Sequence, residues 1–349
     1  MNFLVINLKK YFFTVIFILF IISLLFFSDN NLIAAQEGLA LWSTKVLPSL
    51  FPFFVATELL CKTNFVYILG KFLNKFMKPL FNVPGESSLA LILGTISGYP
   101  VGAKVVCNLK QEKIISKIEA ERLIAYTNNS GPLFILATVG ISLFNNKRIG
   151  FILLLSHIIS AILVAYFFKF WKKNKLEITF KENKFNSINI PVKLSNIGEI
   201  LGNSIKSAIS NILSIGGFIV LFSVILSILN SSRIIELISS FLCIFDIPQE
   251  ISTALFTGII ELTNGVNLTA NLYENYNLIS ILLTSFLLGF GGISVLLQVY
   301  SIISKENISI KPYIIGKFLQ GIFSVIFTFI LLWFWGRRKK SFLYLKILL

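Results

Sequence analysis

An apolar run from Ser88 to Val106 is long enough to cross a bilayer, which takes about 20 residues, yet Gly94, Gly98, Pro100 and Gly102 interrupt it. Proline removes a backbone donor and clashes with the preceding turn, and glycine weakens a helix by roughly 1 kcal/mol each. A helix broken at membrane depth frees N–H and C=O groups that lipid cannot satisfy. The break must therefore face protein or a wet cavity. A second break follows in the next apolar run, at Thr127-Asn128-Asn129-Ser130-Gly131-Pro132. Two broken segments so close together point to a polar site inside a helix bundle.

The rest of the chain supports that setting. Hydrophobic residues make up 55% of it and charged ones 13%, against about 25% charged in soluble domains. Apolar runs fall at 11–27, 46–60, 87–107, 123–144, 149–171, 207–229, 251–272, 278–303 and 312–335. The fold class is all-α: a polytopic helical membrane protein, without the alternating strands of a barrel. The formal net charge of +15 is carried between apolar runs and at the ends, as in Lys9-Lys10, 169–184 and Arg337-Arg338-Lys339-Lys340. That placement indicates contact with anionic lipid and excludes nucleic acid as the partner. The run at 11–27 follows two lysines like a signal peptide, but no small-residue cleavage site follows directly, so it reads as an uncleaved span.

The chain reads as two halves with similar patterns. Phe81-Asn82-Val83-Pro84-Gly85-Glu86 aligns without a gap on Phe245-Asp246-Ile247-Pro248-Gln249-Glu250, Gly94 falls on Gly258, and 149–171 falls on 313–335. Ser49 and Phe53 match Ser214 and Phe218 with a shift of one residue. The expected organisation is an N-terminal helix and connector (1–40), a first repeat (41–171), a polar linker (172–206), a second repeat (207–336) and a basic tail (337–349). Each repeat carries a short amphipathic segment, 65–81 with Lys71, Lys75 and Lys78, and 233–245 with Arg233 and Glu236, of the kind that lies in a membrane interface. Repeats with interrupted helices in matching places are the best sequence pointer to a transporter-like site. The second copy's breaks fall at Glu261-Leu262-Thr263-Asn264-Gly265-Val266-Asn267 and at Gly289-Phe290-Gly291-Gly292-Ile293-Ser294.

The candidate solute-binding residues are Ser97, Gly98, Tyr99, Pro100, Lys104, Asn128, Asn129, Ser130, Gly131, Asn264 and Asn267. A half-helix starting near Pro132 presents free N–H groups to anions or carbonyl oxygens; the plainer reading is a kink held by side-chain hydrogen bonds. Lys104 either snorkels to the surface or pairs within the bundle. Glu261, in an apolar segment, is the candidate for coupling an ion or proton; the alternative is a structural ion pair with Lys104. Glu58 sits near a span end, and Glu86 and Glu250 follow prolines as first-turn acids. Lys110, Glu112, Lys113, Lys117, Glu119, Glu121 and Arg122 read as a solvated helix face. His157 reads as a helix-packing residue. Cys61, Cys107 and Cys243 have no metal-site spacing. No catalytic motif, metal site or cofactor is expected.

Phe51-Pro52-Phe53-Phe54, Phe81-Asn82-Val83-Pro84-Gly85, Ser97-Gly98-Tyr99-Pro100-Val101-Gly102-Ala103-Lys104 and Thr127-Asn128-Asn129-Ser130-Gly131-Pro132, in that order, resemble the YlbJ-type sporulation integral membrane proteins of the nucleoside-recognition, or Gate, group. The resemblance spans roughly residues 40–335. It implies a multi-pass protein of the cell membrane in a spore former (the mother-cell or outer forespore membrane) with a part in building the spore cortex. It also implies kinship with Gate domains of concentrative nucleoside transporters and ferrous-iron transport proteins. The expected function is movement of an unknown small polar or amphipathic solute; the alternative is a non-transporting scaffold for cortex-assembly proteins. The second copy departs from both quoted motifs.

Overall fold

The computed structural model describes residues 2–61, 65–172, 197–272 and 277–338. Most of the linker (173–196) and the tail from 339 lie outside the described residues. The helices are α1 (Asn2–Phe26), α2 (Ser28–Leu41), α3 (Leu47–Cys61), α4 (Phe65–Phe81), α5 (Ser88–Ile96), α6 (Val101–Gln111), α7 (Lys117–Thr127) and α8 (Lys147–Phe168). They continue as α9 (Ile197–Ser231), α10 (Ile234–Cys243), α11 (Gln249–Ile260), α12 (Leu262–Ala270), α13 (Leu278–Phe290), α14 (Gly292–Ile303) and α15 (Lys311–Arg338). Two wide π-helices, Trp42–Val46 and Phe134–Leu143, join α2 to α3 and follow the second break.

Five stretches among the described residues are long and apolar enough to cross a membrane, Ser28–Leu60, Lys147–Phe168, Ile197–Ser231, Leu278–Glu306 and Lys311–Phe334. The side chains sort as they do in lipid. On α15, Tyr313, Lys317, Gln320, Ser324 and Thr328 are buried, while Phe318, Ile322, Ile326 and Phe329 point outward. On α8, Ser156, His157 and Ser160 are inside, and Phe151, Leu155, Ile162 and Tyr166 are outside. A soluble bundle does the reverse. The α4 segment exposes Ile68, Phe72, Phe76 and Leu80 beside Lys71, Lys75 and Lys78, and buries Met77 and Phe81, which suits the interface.

The same succession of elements occurs twice. A long helix (α3, α9) leads to a short amphipathic one (α4, α10). Then come a broken pair (α5 and α6, α11 and α12), a broken helix (α7 with the second π-helix, α13 with α14) and a long closing helix (α8, α15). The broken pairs fold back as helical hairpins. An added Cβ on Gly94 would sit 3.0 Å from the Gly102 Cα, and one on Gly265 would sit 2.0 Å from the Gly258 Cα. The runs at 87–107 and 251–272 therefore turn round, whereas both parts of 123–144 pack along α8. The closing helices α8 and α15 pack on each other, and Ser160 shares a hydrogen bond of 2.7 Å with Ser324 across the 164-residue offset of the two halves. A residue meeting its own counterpart is what an approximate two-fold axis produces.

One segment gains definition and one expectation needs correction. The connector at 28–40 is helical: α2 packs along α9, where Gly38 lets Ser223 approach and the Trp42 indole N–H donates to the Ile212 carbonyl at 3.1 Å. The helical face around 117–122 is also less solvated than its charges suggest. Glu121 is buried and accepts from Lys172 Nζ at 2.6 Å and from the Trp171 indole at 3.0 Å. Arg122 is buried too and donates to the carbonyls of Asn82 (2.8 Å) and Trp171 (3.0 Å). A local charge pattern cannot register that α4 and α8 close over this face. The N-terminus of α7 does read locally: Ser116 and Glu119 form a reciprocal capping box.

Candidate functional site

The two breaks of the first half touch backbone to backbone. The Tyr99 N–H donates to the Asn129 carbonyl at 2.8 Å. Gly98, at φ +78°, lies against Gly131, where an added Cβ would come 2.8 Å from the Gly131 nitrogen. Cβ atoms on Gly94 and Gly102 would lie 1.7 Å and 2.3 Å from the Thr127 carbonyl oxygen. Only glycine permits this approach. The helix after the second break begins at Pro132, whose missing N–H costs nothing there.

Around this seam lies a buried polar cluster. Asn128, Asn129, Ser130 and Glu261 are each no more than 2% exposed. Asn128 Nδ2 donates to the Tyr313 hydroxyl at 3.3 Å, Asn129 Nδ2 to the Tyr126 carbonyl at 2.7 Å, and Ser130 Oγ to the Leu288 carbonyl at 3.3 Å. The Tyr99 hydroxyl faces Ser130 and is within electrostatic reach of Glu261 and Tyr313. Pro100 is buried at a cis peptide bond after Tyr99, and Ser97 is buried at the end of α5.

The sequence reading missed the third side of the cluster, supplied by α15. Lys317 Nζ donates to the Asn128 carbonyl at 3.2 Å and to Gln320 Oε1 at 2.7 Å. Gln320 Nε2 donates to Asn129 Oδ1 at 2.9 Å and lies 3.4 Å from His157 Nε2. His157 is thus a member of this network and not only a packing residue. The signal was present: Tyr313, Lys317, Gln320, Ser324 and Thr328 recur at spacings of three and four through an apolar run, a polar stripe down one helix face.

The second half meets the cluster through charge. Glu261 breaks α11 from α12 in extended backbone (φ −136°, ψ 117°), and its carboxylate caps α12 by accepting from the Asn264 N–H at 2.7 Å. A carboxylate at a helix N-terminus is stabilised by the free N–H groups and the dipole. Gly291 and Gly292, both at positive φ, form the other break. A Cβ on Gly291 would lie 3.9 Å from Lys317 Cε, and one on Gly292 3.2 Å from the Leu262 nitrogen. The glycine turn thus lies between Lys317 and the Glu261 break, with Gly292 close against the start of α12.

Three sequence candidates lie elsewhere. Lys104 does not pair with Glu261. It is exposed on α6, donates to Asn211 Oδ1 of α9 at 2.7 Å, and feels Glu58, which accepts from Ser207 at 2.8 Å. Asn264 donates to Ser223 of α9 at 2.8 Å, and Asn267 accepts from Asn271 toward the other end of α12. These side chains bond the outer faces of the hairpins to α9 or to α12 itself, because helical periodicity turns them away from the seam.

The arrangement defines a class: a helical membrane protein in which two broken hairpins and two broken helices converge on a buried polar centre. The Gate family, described as nucleoside recognition, matches residues 43–172 and 212–306; the first stretch covers α3 to α8 and the second runs from within α9 to α14, ending before α15. The sporulation integral membrane protein YlbJ of Bacillus subtilis (strain 168) is 35% identical over 315 residues, covering 86% of this chain and 77% of the relative. The chain belongs to this YlbJ-type, Gate-containing family of sporulation integral membrane proteins. Its fold is similar to that of CNTnw, solved in an inward-facing, substrate-bound state, with a TM-score of 0.57 and 12% identity over 82% of this chain and 75% of that one.

Proposed function

We propose that the chain moves a small polar or amphipathic solute across the mother-cell or outer forespore membrane of a spore former, for assembly of the spore cortex. The observation that carries this reading is the buried polar cluster at the meeting of the broken segments with α15. Polar groups at membrane depth are costly and mark solute or ion pathways, and broken half-helices supply the backbone groups for such sites. Asn128, Asn129, Ser130 and Tyr99 contact the solute, and Glu261 is the coupling group. The cluster is closed in this conformation, so the solute reaches it only when the hairpins part. The name of the relative and the fold shared with CNTnw agree with this reading.

The test is a thermal-shift screen of the detergent-purified chain against nucleosides, dipicolinate, cell-wall precursors and divalent metals. A solute at 100 times its Kd stabilises the fold by about 2.7 kcal/mol. The expected result is a shift with one chemical class, lost when Asn128 and Asn129 are both changed to alanine. In cells, that double variant is expected to block cortex formation at unchanged membrane abundance. Normal cortex in the double variant sinks the site, and no shift with any solute moves the reading to a non-transporting scaffold.

A further inference from the structure

A broken helix leaves carbonyl oxygens without intrahelical donors, and at membrane depth each needs a partner. In interrupted transporter helices these carbonyls commonly coordinate an alkali cation or a proton carrier. At the C-terminal end of α7 the chain supplies its own donors. The Tyr126 carbonyl takes Asn129 Nδ2 at 2.7 Å, the Asn129 carbonyl takes the Tyr99 N–H at 2.8 Å, and the Asn128 carbonyl takes Lys317 Nζ at 3.2 Å. The Thr127 oxygen is packed against Gly94 and Gly102.

Lys317 is the charged member of this set. It is 3% exposed, and its hydrogen bonds go to neutral acceptors, the Asn128 carbonyl and Gln320 Oε1. Among the described residues no carboxylate lies within ion-pair distance of it. The buried ammonium is compensated instead by the negative end of α7, as cations are at helix C-termini. Glu261 is its mirror image, a carboxylate held by the N-terminus of α12. The counterpart of Lys317 in the first half is Leu153, so the charge was placed at one break alone. Gln320 fixes the ammonium by bridging to Asn129, and the positive-φ turn at Gly291 lies beside its stem.

We infer that Lys317 is the resident cation of the first-half break: its ammonium occupies the place of a dissociable alkali ion at the end of α7, and no such ion binds there. The inference rests on reading the cluster as the working site, and it narrows the coupling ion to whatever acts at Glu261.

The experiment is thermal unfolding of the purified full chain, without solute, while sodium replaces choline at constant ionic strength. It uses wild type, Lys317→Arg, Lys317→Met and Glu261→Gln. Wild type and Lys317→Arg are expected to show no saturable sodium effect other than one that depends on Glu261. Lys317→Met is expected to unfold at lower temperature and to gain a saturable upward shift of roughly 5 °C with sodium or ammonium, the response of a vacated cation site. A saturable sodium response that persists in Glu261→Gln overturns the inference. One abolished by Glu261→Gln supports it by placing the ion at the other break. Lys317→Met folded at full stability with no cation response also overturns it. If Lys317→Met is not recovered, the wild-type and Glu261→Gln measurements decide alone. None of these readouts involves solute, so failure of the transport reading shows separately, in the solute screen.

Discussion

The two halves build the same break with different materials. In the first, glycines let backbone touch backbone, and amide and hydroxyl side chains close the remaining bonds. The Gly94 and Gly102 faces meet the rigid Thr127 carbonyl. In the second, the equivalent Gly258 faces the side chain of Leu287, and the break is held by a carboxylate cap and a pair of positive-φ glycines. The long helices repeat the theme. Ser49 of α3 bonds Thr138 of the second π-helix at 2.7 Å, while Ser214 of α9 accepts from Gln298 of α14 at 3.3 Å. One architecture thus tolerates two chemistries, provided every backbone group at the break finds a partner. Both hairpins close through glycine contacts, Gly94 on Gly102 and Gly265 on Gly258; what differs is that the first break is also packed against the Thr127 carbonyl, while the second is also held by the Glu261 carboxylate.

That contrast can be broken by substitution, and the largest effect is expected where backbone meets backbone. Gly94→Ala is expected to cost about 3 kcal/mol or more, because the Thr127 carbonyl cannot yield, whereas Gly258→Ala costs about 1–2 kcal/mol, because a leucine side chain can repack. Unfolding midpoints in detergent compare the pair, and equal losses would dissolve the distinction. Next comes the charge. Glu261→Ala is expected to destabilise by about 2 kcal/mol through loss of the α12 cap, with Glu261→Gln losing about half of that; a neutral Glu261→Ala would remove the capping role. Arg122→Met, which strands the Asn82 and Trp171 carbonyls, is expected to cost about 1–3 kcal/mol in the same assay. The smallest effect belongs to the axis between the halves. Ser160→Ala and Ser324→Ala are each expected to cost about 0.6 kcal/mol and to be non-additive in a double-mutant cycle, as for other interhelical hydrogen bonds in membranes. Full additivity would mean that the bond carries no coupling.

The breaks themselves were legible in the sequence because they are local. Gly98-Tyr99-Pro100 and Asn128-Asn129-Ser130-Gly131-Pro132 each gather several helix-weakening residues within a few positions, whereas the single prolines Pro52 and Pro79 stay inside α3 and α4. Gly291-Gly292 announced the matching break, and the Phe81 and Phe245 segments gave the register of the halves. Lys317, Gln320 and His157 were not recognised, because their roles depend on which face of α15 and α8 turns toward the seam. The sequence left Lys104 open between the surface and a pair inside the bundle; it is exposed and bonded to Asn211, because adjacency to a break in sequence does not fix the direction of a side chain several residues on. Glu121 and Arg122 read as solvated because nothing nearby in the chain foretold that Asn82, Trp171 and Lys172 would close over them.

What the sequence determined by itself was the solvent, the helical class and the places where helices must stop. Hydropathy, glycine and proline act over a few residues and require no partner to have their effect. The tertiary structure decided which freed carbonyl meets which donor, and that a lysine from the last helix serves the end of α7. Those choices follow from packing α7 and α15 against one another, where burial makes an unpaired group costly, and the chain holds the two helices 189 residues apart at the Lys317–Asn128 bond.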